Sequence, residues 1–288
     1  MKNPKDLFGM SNIFKNESLF VKSFIFNRIP HREKELSLLS QLFLSLITDP
    51  KKVSRKILVT GQLHTGKTTT ILFLAKTLVD AARKRNLVIN YMYIDCKEHN
   101  TRDNVLSKIK YDLDDSNKPK TIPLITDKLR ARNRYPKSKP QLLLILDDLD
   151  YFDDDPEELF NSLDIEYELS ASCGNWLSII SIVSDLEFLE PYFGNNLDIL
   201  RRNIIKFRPF SREQIFDILK YRASLGMYID AYSDDIINMI TDNTLLTGDI
   251  RAGVELLWKA GKIAEEKKLR QITPECVRLG RESLNNSK

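Results

Sequence analysis

The sequence predicts an α/β domain built on a five-stranded parallel sheet between helices, followed by a small all-helical domain. Short apolar stretches alternate with helix-periodic ones from residue 56 to about 207, and after Phe210 only helical patterns remain. Two of the apolar stretches, 141–146 and 176–183, do not alternate with polar residues. That is the mark of strands covered on both faces, as in parallel sheets. The organisation read from these patterns is a lead-in over 1–28, an α/β domain over 29–208 and a helical domain over 209–288.

The elements follow in order. Leu36, Leu39, Phe43 and Leu46 fall on one face of a helix over 32–47, which Asp49-Pro50 ends. KILVT, residues 56–60, reads as a short buried strand, followed by a turn and a helix over 67–83. Residues 88–96 form a second strand, and a long polar helical segment runs over 101–135. Pro136 and Pro140 punctuate the entry to the third strand at 141. An acidic loop over 153–158 leads into a short helix, and the fourth and fifth strands lie at 176–183 and 203–207. Ser211-Arg-Glu-Gln214 is a capping box that opens a helix over 215–225. Ser233 and Asp249 start two more helices, the second running to about 268. Thr273-Pro274-Glu275 combines an N-cap, a proline in the first helical position and an acidic first turn.

Composition excludes several classes. Hydrophobic residues make up 42% and charged residues 29%, which is ordinary for a soluble globular chain. The apolar runs are too short to span a bilayer, and MKNPKDLFG has no apolar signal core. Cys96, Cys173 and Cys276 are isolated, which fits a reducing cytoplasm better than a disulfide framework or a zinc site. A net charge of +4 does not by itself imply nucleic-acid binding.

The strongest chemical signal is Gly61-Gln-Leu-His-Thr-Gly66-Lys67-Thr68, which satisfies G-x-x-x-x-G-K-[ST] between a buried strand and a helix. In such a loop the backbone N–H groups of Gly61 to Thr69, His64, Thr65 and Gly66 among them, cradle phosphates at a helix N-terminus. Lys67 reaches the β- and γ-phosphates, and the Thr68 hydroxyl binds Mg²⁺. ATP or ADP with Mg²⁺ is therefore the expected cofactor. His64 can contact phosphate, but the expectation is a side chain turned to solvent. The third strand ends in Asp147-Asp148-Leu149-Asp150, delivering carboxylates at the edge where open parallel sheets bind ligands. Asp147 is the second candidate for the Mg²⁺ shell, and Asp148 the candidate to orient an attacking water. An acidic surface loop, continued by Asp153, Asp154 and Asp155, is the alternative reading of the same letters.

Segments at Ile29–Glu33, Tyr93–Cys96, Ser181–Phe188 and Thr247–Arg251, in this order, resemble the origin-recognition and cell-division-cycle family of AAA+ replication initiators, particularly its archaeal form. Ile29-Pro30-His31-Arg32-Glu33 resembles an N-terminal signature that lies against adenine in that family. Tyr93-Ile94-Asp95-Cys96 resembles the end of its second strand, and the stretch from Ser181 to Phe188 its sensor-1 strand. Thr247-Gly248-Asp249-Ile250-Arg251 resembles its sensor-2 helix. The resemblance spans about 12–285 and implies an AAA+ core with a helical lid. It implies that Arg251 reaches the γ-phosphate and couples nucleotide to the lid; periodicity alone puts Ile250, Val254, Leu257 and Trp258 on the core face. Arg201 and Arg202 are candidates for an arginine finger acting on a neighbouring subunit, though two solvated arginines explain the same letters. Self-association, or assembly with related initiator subunits, is the corresponding partner expectation.

Two departures from the family pattern matter. Asp148 stands where the family usually has glutamate, and Ser184 stands at the sensor-1 asparagine position. Aspartate is shorter by one C–C bond, about 1.5 Å, and a misplacement of about 1 Å can cost on the order of a hundredfold in rate. Nucleotide and metal binding are expected to survive, with slow hydrolysis. The resemblance also implies a winged-helix domain after the lid, which would begin near Lys288, so the expectation is a chain without one. DNA contact then falls to the basic stretch 102–139, where eleven Lys and Arg face five Asp. Lys128, Arg130, Arg132 and Arg134 are its leading candidates, in the region where the family places an extra DNA-contacting helix; a solvated lysine-rich helix is the alternative.

The leading expectation is an initiator-like ATPase whose nucleotide state controls its action on DNA, located in the cytoplasm and associated with the nucleoid. A non-hydrolysing switch that recruits a protein partner, and a helper ATPase of a plasmid or mobile element, are the alternatives.

Overall fold

The computed structural model describes residues 11–20, 28–50, 52, 54–113, 141–168, 177–193 and 203–285. They fall into two compact units, which are described in turn.

The larger unit comprises the described residues of Glu33–Gln62 and Gly66–Phe207. Its element order is α1 (Glu33–Phe43), α2 (Ser45–Thr48), β1 (Lys56–Thr60), α3 (Lys67–Arg83), β2 (Ile89–Asp95) and α4 (Arg102–Leu113), then β3 (Gln141–Asp147), α5 (Pro156–Glu168), β4 (Leu177–Val183), α6 (Glu190–Phe193) and β5 (Ile204–Lys206). The five strands form one sheet in the spatial order β2-β3-β4-β1-β5, and every pairing is parallel.

All seven residues of β3 and all seven of β4 are buried, which is why neither stretch alternates in sequence. Alternation persists in space. Leu142, Leu144 and Leu146 join Leu58, Ile179 and Val183 on one face, packed with Val105, Ile109, Leu159 and Leu163 of α4 and α5. Leu143 and Ile145 join Ile57, Val59, Ile180 and Ile182 on the other, packed with Leu39 and Phe43 of α1 and Ile71 and Leu74 of α3. The central strands thus feed two cores, one per face. The helix expected over 32–47 is interrupted at Leu44, between α1 and α2. Its apolar face is as expected: Leu39, Phe43 and Leu46 are buried, and Leu36 packs beside them.

The smaller unit comprises the described residues of Met1–Arg32 and Arg208–Lys288, with Leu63–Thr65. Four helices build it: α7 (Arg212–Gly226), α8 (Asp234–Thr247), α9 (Ile250–Glu266) and α10 (Pro274–Asn285). The starts of three of them follow from local chemistry. Ser211 and Gln214 form a reciprocal capping box, Ser233 accepts from the Ile236 N–H, and Asp249 accepts from the Arg251 N–H. Ile215, Leu219, Ile237, Ile240, Leu257 and Ala260 form the common core.

The described part of the lead-in folds onto these helices as a strap. Phe14 pairs with Met227 in an antiparallel bridge, and the Tyr228 N–H donates to the Ile13 carbonyl at 3.0 Å. Trp258 Nε1 donates to Glu17 at 2.8 Å, and the half-buried Arg222 guanidinium donates to the Leu19 carbonyl. A side chain at Gly261 would overlap the Phe14 ring, so α9 needs glycine where the strap crosses it.

Candidate functional site

The loop between β1 and α3 turns through three residues of positive φ: Gly61 at 147°, His64 at 64° and Gly66 at 81°. At Gly61 only glycine fits, because a Cβ would overlap the Phe207 carbonyl oxygen. Phe207 is held there by its N–H, which donates to the Thr60 carbonyl at 2.7 Å. Gly66 is the residue before the first turn of α3, and the Thr70 hydroxyl donates to its carbonyl at 2.8 Å. Such a loop, entering a 17-residue helix, presents backbone of the kind that can bind anions.

In the larger unit Lys67 rests on the loop, and Thr68, Tyr93 and Asp148 converge on Asp147 at the end of β3. Lys67 is buried, its ammonium donating to the carbonyls of Gly61 and of Gln62, the latter at 2.9 Å. The Thr68 hydroxyl donates to Asp147 Oδ2 at 2.7 Å, and the Tyr93 hydroxyl donates to the same oxygen at 2.9 Å. The Asp148 N–H donates to Asp147 Oδ1 at 3.1 Å. Burial pushes the Asp147 carboxyl above the usual aspartate range, and the bonds from Thr68 and Tyr93 pull against that shift. Burial, and then the charge of Asp147, push the Tyr93 hydroxyl up as well. Cys96 is pushed up to about 12 by the same causes, so it is an inert buried thiol.

This donor set fits Mg²⁺. It is an oxygen-only pair, one carboxylate and one hydroxyl already in contact, beside a phosphate-type loop. Among the described residues no cluster of three or more His, Cys, Asp and Glu could hold a metal alone. Mg²⁺ needs no such cage, since waters and substrate phosphates complete its shell.

Asp148 lies at φ 51°, left-handed for a non-glycine residue, with its carboxylate 2.5 Å from Lys97 Nζ. Lys97 also stands 4.4 Å above the Tyr151 ring, and its bond to Asp148 raises its pKa. Neither Lys97 nor Tyr93 was among the sequence candidates. The available signal was register: β2 and β3 run abreast, with Asp95 opposite Asp147. Ser184 engages the sheet edge through its backbone, its N–H donating to Asp150 Oδ2 at 2.6 Å. Its hydroxyl makes no hydrogen bond to the described residues. Thr69, on the first turn of α3, is half-buried.

In the smaller unit, His64 departs from its expected solvent orientation. Its Nδ1 lies 3.3 Å from Asp249 Oδ1, and the side chain is half-buried. The same Asp249 oxygen caps the Arg251 N–H at 2.8 Å. The Arg251 side chain is exposed and makes no ion pair with the described residues. Ile29 is buried, Pro30 is half-buried, and His31 Nε2 lies 3.0 Å from Asp217 Oδ2. Arg32 is buried and donates to backbone carbonyls, the Thr65 carbonyl among them. Lys128, Arg130, Arg132 and Arg134, and likewise Arg201 and Arg202, lie outside the described residues.

The raised Asp147 pKa has a consequence for stability. A carboxyl whose folded pKa exceeds its unfolded value stabilises the fold fully below the unfolded value, 3.8. That contribution is lost as pH rises through the folded value. Once ionised, the buried Asp147 therefore opposes folding of the ligand-free chain. Asp147→Asn is expected to raise its melting temperature by a few degrees and to remove this part of the acid-side pH slope. The same variant should lose the Mg²⁺ dependence of nucleotide binding. Calorimetric scans between pH 4 and 8 check both, and a lower melting temperature at pH 7 would contradict the burial argument.

Comparison with known proteins agrees with this fold. A family model described as AAA domain matches residues 51–184, and one described as Cdc6 AAA+ ATPase-type lid domain matches residues 216–282. ORC1-type DNA replication protein 2 of Sulfolobus acidocaldarius is 26% identical, over 98% of this chain and 69% of its own length. ORC1-type DNA replication protein 1 of Archaeoglobus fulgidus is 28% identical, over 95% of this chain and 66% of its own. The chain thus spans about two thirds of the length of these relatives. Among solved structures, Cdc6p from Pyrobaculum aerophilum superposes with a TM-score of 0.76 at 25% identity, covering 94% of this chain and 72% of that one. Aeropyrum pernix ORC1 in complex with DNA shares the fold, with a TM-score of 0.75 at 20% identity over 96% of this chain and 71% of its own. The chain thus carries an AAA domain followed by a Cdc6-type lid, and it is similar along nearly its whole length to ORC1-type and Cdc6 proteins of archaea.

Proposed function

We propose that this chain is a nucleotide-operated switch that acts on DNA in replication initiation and hydrolyses ATP slowly. The observation that carries the nucleotide part is the Thr68–Asp147 contact at 2.7 Å beside the loop 61–68. Lys67 would exchange its two loop carbonyls for β- and γ-phosphate oxygens, a stronger, charge-assisted pairing. Thr68 and Asp147 would hold Mg²⁺, which neutralises phosphate charge when bound. Tyr93 holds the Asp147 carboxylate in place by donating to the oxygen that Thr68 also uses. Arg251, exposed at the start of α9, would serve as the arginine that answers to the γ-phosphate, as the family resemblance implies.

Slow turnover is supported by the state of Asp148. Its carboxylate is engaged by Lys97, which holds it away from a position facing an attacking water. Ser184 offers a short hydroxyl at the neighbouring strand end. The DNA part rests on the relatives and on the basic stretch 102–139.

The test couples the two parts. Phosphate release by the chain alone is expected to be slow, and Lys97→Ala to raise it on the order of tenfold by freeing Asp148. Duplex affinity, read by fluorescence anisotropy, is expected to differ between Mg-ATP and Mg-ADP in the wild type and not in Lys67→Ala. Equal affinity in both nucleotides would sink the switch. Turnover that falls in Lys97→Ala would make Lys97 a participant in the reaction.

A further inference from the structure

We propose that Arg32 is a positioning residue of the phosphate-binding loop, aiming the Gly66 N–H through the Thr65 carbonyl. The inference rests on the nucleotide reading above.

The contacts lie within the smaller unit. Arg32 is 3% exposed. Its Nε and Nη2 both donate to the Thr65 carbonyl, at 3.1 and 2.7 Å. Nη2 also donates to the Arg208 carbonyl at 2.8 Å, and Nη1 to the His31 carbonyl at 3.1 Å. The guanidinium carbon stands 3.8 Å from the centroid of the Phe210 ring. Such a stack over an aromatic face suits a planar cation. His31 adopts a left-handed φ of 61°, a conformation that is costly for a non-glycine residue. Thr65 is itself 3% exposed, so its carbonyl has no access to bulk water as an alternative partner.

Peptide geometry carries the consequence into the loop. The Thr65 carbonyl and the Gly66 N–H belong to one planar trans unit and point in opposite directions. Two donors on a single carbonyl oxygen, from a fork of fixed shape, set the direction of that carbonyl and hence of the N–H. Gly66 has a φ of 81° and precedes Lys67 and Thr68, so its N–H sits among the amides that would meet phosphate. A lysine at position 32 would keep the charge but lose the fork. The resemblance to initiators implies instead that 29–32 lie against adenine, a role that would show in base preference. A positioning role would show in affinity for the phosphates and leave base preference alone.

The experiment uses the full chain and three ligands, Mg-ATP, Mg-GTP and Mg-tripolyphosphate, with affinities measured by titration calorimetry. Arg32→Lys is expected to weaken all three by the same factor, on the order of tenfold, which is the loss of about one well-aimed hydrogen bond. The ratio of ATP to GTP affinity should not move, and melting should remain cooperative. Phe210→Leu, which removes the ring under the guanidinium, should give a smaller loss of the same pattern, and it carries the test if Arg32→Lys does not fold. A changed ATP-to-GTP ratio with tripolyphosphate affinity intact would overturn the proposal in favour of a role at the base. A lowered melting temperature with every affinity unchanged would overturn it in favour of a purely structural role. Failure of the nucleotide reading looks different: the wild type itself would bind none of the three, and Lys67→Ala would match it. The positioning role would then fall with that reading.

Discussion

Saturating Mg-ATP is expected to raise the melting temperature of the wild-type chain by about 5–10 °C, and Lys67→Ala to abolish that rise. A ligand at a hundred times its dissociation constant contributes about 2.7 kcal/mol to the folded state by linkage. For units of this size each kcal/mol moves the melting temperature by about 2–4 °C. Lys67 is the side chain on which the effect turns. It is buried, carries the charge complementary to phosphate and already rests on two carbonyls of the loop. Alanine there removes the charge without touching the sheet, because the apolar side chains of α3 in the core are Ile71, Leu74, Ala75, Leu78 and Ala82. The ligand-free variant should therefore melt close to the ligand-free wild type. Differential scanning calorimetry at millimolar Mg-ATP reads both numbers. An unshifted wild type would remove the site assignment, and a Lys67→Ala variant that shifts fully would place the nucleotide elsewhere.

The parts of this molecule that were legible in the sequence are those whose cause is local. The strands β3 and β4 announced themselves because burial on both faces demands unbroken apolar runs. The capping box at Ser211 and the caps at Ser233 and Asp249 are written within four residues of each helix start. The turn at Gly61 and Gly66 and the helix start at Lys67 were legible because that spacing marks a loop between strand and helix, and the place of Asp147 because it ends an apolar strand.

What was not legible depends on residues far apart in the chain. The strap over 11–20 has no period of its own; Ile13 and Phe14 are buried by helices that begin two hundred residues later. Tyr93 and Lys97 reach Asp147 and Asp148 only because β2 and β3 pair in one register, with Tyr93 opposite Ile145. A slip of one residue would turn Tyr93 to the other face. His64 meets Asp249 across a separation of the same kind, which no pattern near residue 64 encodes. The break at Leu44 within the helix expected over 32–47 changes no buried position, so periodicity could not see it.

Duplex DNA binding by this chain is expected to weaken roughly 150-fold between 50 and 200 mM salt, with little preference between random and origin-like sequences. The figure assumes about four phosphate contacts, each contributing a log–log slope of about −0.9 through counterion release. The described part of the basic stretch narrows where those contacts can lie. Arg102 pairs with Asp103 and Glu158, and Lys108 with Asp112, so the charges on α4 are largely answered within the fold. The weight shifts to Lys128, Arg130, Arg132 and Arg134, where the sequence carries four cations in seven residues. Phosphate contacts position a protein and carry little sequence information, which is why random and origin-like duplexes should bind alike. Replacing Arg130, Arg132 and Arg134 together by alanine should then flatten the slope by about 2.7, besides lowering affinity at low salt. Replacing Lys108 should leave the slope nearly unchanged, because its charge is already paired with Asp112. Fluorescence anisotropy with nucleotide present, repeated over the salt series, gives slope and affinity together. Tight, salt-insensitive and sequence-specific binding would require an element that reads base edges in a groove, and would overturn a contact made through phosphates alone. Undetectable binding at 50 mM salt would instead favour a nucleotide-bound chain that recruits a protein partner.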